Sequence, residues 1–106
     1  MSFFDLFKRP DINAGVEAWR AEPKAVLLDV RTPQEYRQGH IEGSINLPLD
    51  GLRAAQEKLP ATDTPLFVHC LSGARSAQAT SILRTMGYTR VTNIGGLNGY
   101  RGKVVK

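Results

Sequence analysis

The chain contains one cysteine, Cys70, and it opens the stretch Cys70-Leu71-Ser72-Gly73-Ala74-Arg75-Ser76. Leu66-Phe67-Val68-His69 before it reads as a buried strand. Ser76–Met86 after it reads as a helix with Ala79, Ile82, Leu83 and Met86 facing inward. A loop wound from a strand end into a helix start points backbone N–H groups at its centre, and the helix terminus adds positive potential. A thiol at the first loop position faces that cradle. Its thiolate is favoured, so its pKa is expected below the usual value of about 8.5. The thiolate is the nucleophile. Gly73 permits a tight turn, and Arg75 either braces the loop or supplies charge for substrate. Free cysteines are often inert and inward-facing, but an inert cysteine requires no glycine-bearing, arginine-closed loop. Disulfide exchange is disfavoured for want of a resolving cysteine.

Loop length separates two chemistries. Cysteine-based phosphatases use HC-x5-R-S/T, a ring that encircles a tetrahedral phosphate. Here His69-Cys70 is followed by four residues and then Arg75-Ser76, one residue fewer. The tighter ring suits a cysteine carrying one extra sulfur atom, whose terminal sulfur would accept the loop N–H groups as an oxyanion does.

With these residues in hand, the chain resembles the single-domain rhodanese (sulfurtransferase) family from Ala14 to Tyr100. The stretches that carry the resemblance are Leu28-Asp29-Val30-Arg31, Glu35-Tyr36, Gly39-His40-Ile41-Glu42-Gly43-Ser44-Ile45-Asn46-Leu47-Pro48, the Cys70–Ser76 loop and Gly95-Gly96. The resemblance implies a small α/β domain in three layers, with a central parallel sheet flanked by helices. It implies transfer of sulfane sulfur from thiosulfate or a persulfide to cyanide, a thiol or a protein. It also implies that Cys70 is the catalytic cysteine and that Asp29 and Arg31 are a supporting pair. Family members often carry tryptophan shortly after the double glycine. Tyr100 stands near that position here, a departure expected to bear on the pocket wall rather than the chemistry.

The supporting residues have plainer readings beside their catalytic ones. Asp29 ends a buried strand and is expected to tie down nearby backbone or Arg31. Arg31 is expected to be architectural, with substrate contact as the alternative. His40 is read as a structural hydrogen-bonding residue. His69 precedes the nucleophile by one position, so along a strand its side chain points away from that of Cys70. Gly95-Gly96 is expected to allow close approach to the cysteine loop, and it lacks the GxGxxG pattern of a nucleotide site.

The elements that must position these groups alternate. Asp11 caps a helix bearing Ile12, Val16 and Trp19 on one face. Ala25–Val30 is a strand covered on both faces. Thr32, Pro33 and Glu35 form a helix start with a capping box, and Gly39 ends that helix. Gly43–Leu47 is extended, Asp50–Leu59 helical, Pro60–Pro65 a turn, and Thr89–Ile94 a strand. Strands alternating with helices predict a parallel sheet, and ligands bind beyond its carboxyl ends. Asp29–Arg31, the segment after His69, and Gly95-Gly96 all fall there.

The 106 residues suggest one domain, taken as 11–106, after a short amphipathic arm at 1–10. Phe3, Phe4, Leu6 and Phe7 in the arm are read as folding onto the domain, with a weak membrane or partner contact through residues 3–7 as the alternative. The lone cysteine and two histidines argue against a structural metal, and the expected chemistry needs no cofactor. The net charge of +4 comes from scattered basic residues without interleaved aromatics, so nucleic acid is not expected as a partner. The expected partners are a small anionic sulfur donor or a protein or low-molecular-weight persulfide, and a thiol acceptor. A cytoplasmic location is the default. The rivals are a phosphatase or arsenate reductase on the same architecture, and a non-catalytic interaction module.

Overall fold

The computed structural model describes residues 9–106. Most of the arm therefore lies outside the described residues, and with it both the expected folding of the arm onto the domain and the alternative contact through residues 3–7. The first helix, α1 (Ile12–Ala21), starts at Asp11, whose carboxylate accepts from the amide of Asn13. Strand β1 (Val26–Asp29) follows. Helix α2 (Pro33–Gln38) has the capping box expected from its sequence. Thr32 Oγ1 accepts from the Glu35 amide, and the Glu35 carboxylate accepts from the Thr32 amide. Then come β2 (His40–Ile41), β3 (Ile45–Asn46), a 3-10 stretch at Leu49–Ala54 and α3 (Ala55–Lys58). The chain closes with β4 (Leu66–Cys70), α4 (Ala74–Thr85), β5 (Val91–Gly96), a 3-10 turn at Leu97–Gly99 and β6 (Val104–Val105).

The central sheet is parallel, in the order β3-β1-β4-β5. Side chains alternate across it, and the two faces feed two apolar clusters. Leu28, Leu66, Val68, Cys70 and Val91 pack with Ala79 and Leu83 of α4 and with Leu52 and Ala55. On the other face, Leu27 and Ile94 pack with Ile12 and Val16 of α1 and with Ile41. Helices thus cover both sides of a β1 strand that is apolar on both faces, the three-layer α/β arrangement expected of the sequence. Among the described residues no helix is long and apolar enough to cross a membrane.

Three details differ from the sequence expectations. Asp50–Leu59 is not one helix, because Gly51 leaves helical geometry at φ −117° and ψ 25° and a 3-10 stretch precedes α3. Ile82 of α4 is exposed, and the buried stripe is Ser76, Ala79, Thr80 and Leu83. Those hydroxyls are buried because the backbone satisfies them; Thr80 Oγ1 donates to the Ser76 carbonyl at 2.8 Å. Finally, β2 and β6 form an additional antiparallel pair, His40 with Val105 and Ile41 with Val104.

Candidate active site

Strand β4 delivers Cys70 to the carboxyl end of the sheet. Leu66, Val68 and Cys70 share the α4 face by strand alternation, so the sulfur is part of the core and fully buried. The chain then turns through Gly73, whose φ of +106° is a left-handed conformation that suits glycine. Gly73 is also the N-cap residue of α4 and has no side chain to cap it. Its amide donates to Cys70 Sγ at 3.0 Å. The hydroxyl of Ser76 lies 3.5 Å from the same sulfur. Burial pushes the Cys70 thiol up. Hydrogen bonds from the Ser76 hydroxyl and from the amides of Ser76, Gly73 and Ser72 outweigh it, so the pKa is lowered.

Strand β5 backs the loop. Its pairing with β4 slips by one residue: Val68 faces Asn93, but His69 faces Gly95 and Cys70 faces Gly96. This bulge, with Gly95 at φ +100°, sets Gly96 beside Cys70. A Cβ on Gly96 would run into the Leu71 carbonyl oxygen and come within 2.8 Å of Ser72 Cα. The close approach expected of the double glycine is thus a backbone-on-backbone contact. The Asn98 amide adds a hydrogen bond to the Leu71 carbonyl at 3.0 Å.

Beside the loop, Asp29 and Arg31 are buried together. Arg31 Nη2 and Nε lie 2.8 and 3.1 Å from Asp29 Oδ2, and the Arg31 amide donates to Oδ1 at 3.0 Å. Arg31 Nη2 also donates to the Gly39 carbonyl at 2.7 Å. Through Nε and Nη2 the arginine holds the α2 end to the β1 end. His69 lies on the opposite strand face from the sulfur. Its Nδ1 is 3.1 Å from the Cys70 carbonyl, an acceptor, so Nδ1 carries the proton. Burial pushes His69 down despite nearby Asp29, leaving it neutral. Its Nε2 is buried without a hydrogen-bond partner, 3.7 Å from Asp29 Oδ2.

Arg75 turns outward and pairs with Glu35 of α2, Nη1–Oε1 at 2.6 Å and Nη2–Oε2 at 3.0 Å. The arrangement is a hydrogen-bonded thiol in a short loop between a parallel strand and a helix. A family model of the rhodanese-like domain matches residues 13–103. The chain belongs to the rhodanese-like domain family.

Relatives of this rhodanese-like chain include the thiosulfate sulfurtransferase PspE of Escherichia coli, 42% identical over 66% of this chain and 68% of that protein. The uncharacterized protein YqhL of Bacillus subtilis is 39% identical over 76% of this chain, which spans only 64% of YqhL. A solved structure described as a rhodanese with anions from E. coli superposes with a TM-score of 0.72 at 38% identity, covering 77% of this chain and 98% of that one. The family is not confined to sulfur transfer: a tRNA uridine(34) hydroxylase of Cronobacter sakazakii is 32% identical over 93% of this chain, which covers 29% of that enzyme.

Within the rhodanese-like domain the fold gathers Cys70, Gly73, Ser76 and Gly96 at one point. Leu71, Ser72 and Ala74 are exposed on the loop's outer side. His40 stacks on Tyr36, with Nδ1 2.8 Å from the Tyr36 carbonyl, a structural placement. Tyr100 packs with the α1-side cluster. Two residues absent from the sequence-based site belong to it. Glu35 fixes Arg75 across 40 positions, whereas the sequence marks it only as the capping-box partner of Thr32 and as part of the Glu35-Tyr36 stretch. Asn93 accepts from Ser76 Oγ at 2.7 Å, and no local sequence signal distinguishes it from any strand asparagine. Among the described residues, no cluster of three His, Cys, Asp or Glu side chains is arranged to hold a metal ion.

Proposed function

We propose that the protein is a sulfurtransferase that carries sulfane sulfur as a Cys70 persulfide. The observation that carries this reading is Cys70 Sγ held at 3.0 Å by the Gly73 amide inside the six-residue loop Cys70–Arg75. The Cys70 thiolate attacks the outer sulfur of a donor. With thiosulfate, a new S–S bond forms to Sγ, the donor S–S bond breaks, and its electron pair leaves with sulfite. The loop amides stabilise the resulting Cys–S–S⁻. In the second step cyanide or a thiolate attacks the terminal sulfur, the persulfide bond breaks, and its electron pair restores the Cys70 thiolate. The cycle is ping-pong, and as written it uses no metal or organic cofactor. Likeness to a named thiosulfate sulfurtransferase supports it.

Leu71, Ser72, Gly73 and Ala74 add no charge to the loop, and the guanidinium of Arg75 is taken up by Glu35. The cavity beside the loop, however, is lined by Arg9 and Arg101 along with Asp11, Ser72 and Gly73, and this positive charge would draw anionic donors, thiosulfate and deprotonated persulfides alike. The testing experiment is intact mass measured after exposure to thiosulfate and to a glutathione persulfide. The expected result is a gain of one sulfur atom, removed by cyanide as thiocyanate. No gain with any donor, beside turnover of an aryl phosphate, would replace this reading with the phosphatase one.

A further inference from the structure

Ser76 Oγ has one proton and several acceptors around it. Asn93 Oδ1 is at 2.7 Å, the Gly73 carbonyl at 3.0 Å, the Gly95 carbonyl at 3.4 Å and Cys70 Sγ at 3.5 Å. The orientation of the Asn93 amide is fixed independently. The Gly95 N–H donates to the same oxygen at 3.0 Å, and a donor can face only the amide oxygen. Toward Ser76, therefore, Oδ1 can only accept. This geometry follows from the β5 bulge, which lets the Gly95 amide turn back onto the Asn93 side chain.

A directed chain results. When Cys70 is a thiol, S–H donates to Ser76 Oγ and the Ser76 hydroxyl donates to Asn93. When Cys70 is a thiolate it has no proton to give. Sulfur, which already accepts from the Gly73 amide, is then a further acceptor for the hydroxyl, which can turn toward it only by giving up Asn93. The same turn would serve a persulfide held in the loop. We propose that Asn93 is a positioning residue for Cys70: its side-chain oxygen parks the Ser76 hydroxyl proton and competes with sulfur for it. This deepens the sulfurtransferase reading and rests on Cys70 being its nucleophile.

Other charged groups around Cys70 are Arg75 of α4 with Glu35 of α2, and the Asp29–Arg31 pair, with neutral His69 on β4, while Arg9, Asp11 and Arg101 line the cavity shared by Ser72, Gly73 and Asn93. Among the described residues none of them hydrogen-bonds to Ser76 or Asn93. They are the same in every variant below.

The test is the pH dependence of Cys70 alkylation by iodoacetamide in the full chain. Asn93→Asp keeps both hydrogen bonds to the side-chain oxygen but makes it a stronger acceptor. Its inflection is expected to rise by about one pH unit. A bare charge effect would do the same, so the substitution is repeated in a Ser76→Ala background. Loss of most of the shift there supports the proposal. A shift of equal size in both backgrounds overturns it, as does no shift in either. If Asn93→Asp fails to fold by its thermal melt, Asn93→Ala is read instead. Removing the best competing acceptor should lower the inflection, and an unchanged or higher value counts against the proposal. Alkylation reports the thiol alone, so this failure is distinct from failure to form a persulfide in the mass experiment.

Discussion

The Arg75 guanidinium and the Glu35 carboxylate meet in a two-pronged ion pair, with contacts of 2.6 and 3.0 Å between the first turn of α4 and the first turn of α2. The same carboxylate closes the capping box on Thr32. One side chain thus starts a helix and holds the arginine that closes the cysteine loop.

This pair has a pH window. The Arg75 guanidinium beside Glu35 holds its carboxyl down at about 2. A depressed carboxylate stabilises the fold fully above its unfolded value, about 4.3, and loses that contribution as pH falls from there through about 2. Glu35→Gln is expected to cost about 1 kcal/mol at neutral pH, since the pair is a third exposed and screened. Thermal melts of the two proteins should differ at pH 7 and converge near pH 2. A difference that persists undiminished in acid would refute the assignment.

Gly96 should tolerate no side chain. An alanine Cβ there meets backbone of Leu71 and Ser72, which no rotamer change can relieve. Gly96→Ala is expected to destabilise by roughly 1–3 kcal/mol in urea and to slow Cys70 alkylation by displacing the loop. Gly51→Ala is the control, because a methyl group there would find nothing within 4 Å. It should be near neutral in both measurements.

Breaking the buried Asp29–Arg31 pair from one side should be costly. Asp29→Ala leaves the Arg31 guanidinium and amide without their carboxylate partner in a site closed to water. The expected loss is roughly 3–5 kcal/mol by denaturant unfolding. A loss under about 1 kcal/mol would mean the pair does not hold the β1 and α2 ends together.

The lowered Cys70 pKa predicts that stability depends on pH on the alkaline side. Between the folded and unfolded pKa values the unfolded chain holds a proton that the native chain has lost, so stability rises with pH across that interval. The stability of the wild type relative to Cys70→Ser should therefore grow with rising pH and level off above about 9. A flat difference would place the sulfur outside the reach of the loop amides.

The sequence shows the alternating elements because their signals are local. Thr32, Pro33 and Glu35 announce α2 within four residues, and the apolar run at β1 demands cover on both faces. The β2–β6 pair has two residues per strand and joins His40 to Val105, too short for periodicity and set by long-range pairing. Apolar patterning places Ile82 on the inner stripe of α4 because it is blind to hydroxyls satisfied by backbone, as at Ser76 and Thr80. The cysteine loop stands out from residue types and spacing alone. Its braces, Glu35 and Asn93, do not, since their roles arise only when distant elements meet.

Cys70 belongs to the packed core as well as to the loop, and that has a consequence for delivery. A core side chain has no room to sweep, and an added sulfur atom extends only about 2 Å beyond Sγ. On the sulfurtransferase reading, the domain is a fixed port rather than a swinging arm. Donor and acceptor must each dock at the same spot in turn, and whatever cannot bring its reacting atom down to the loop is refused by reach alone.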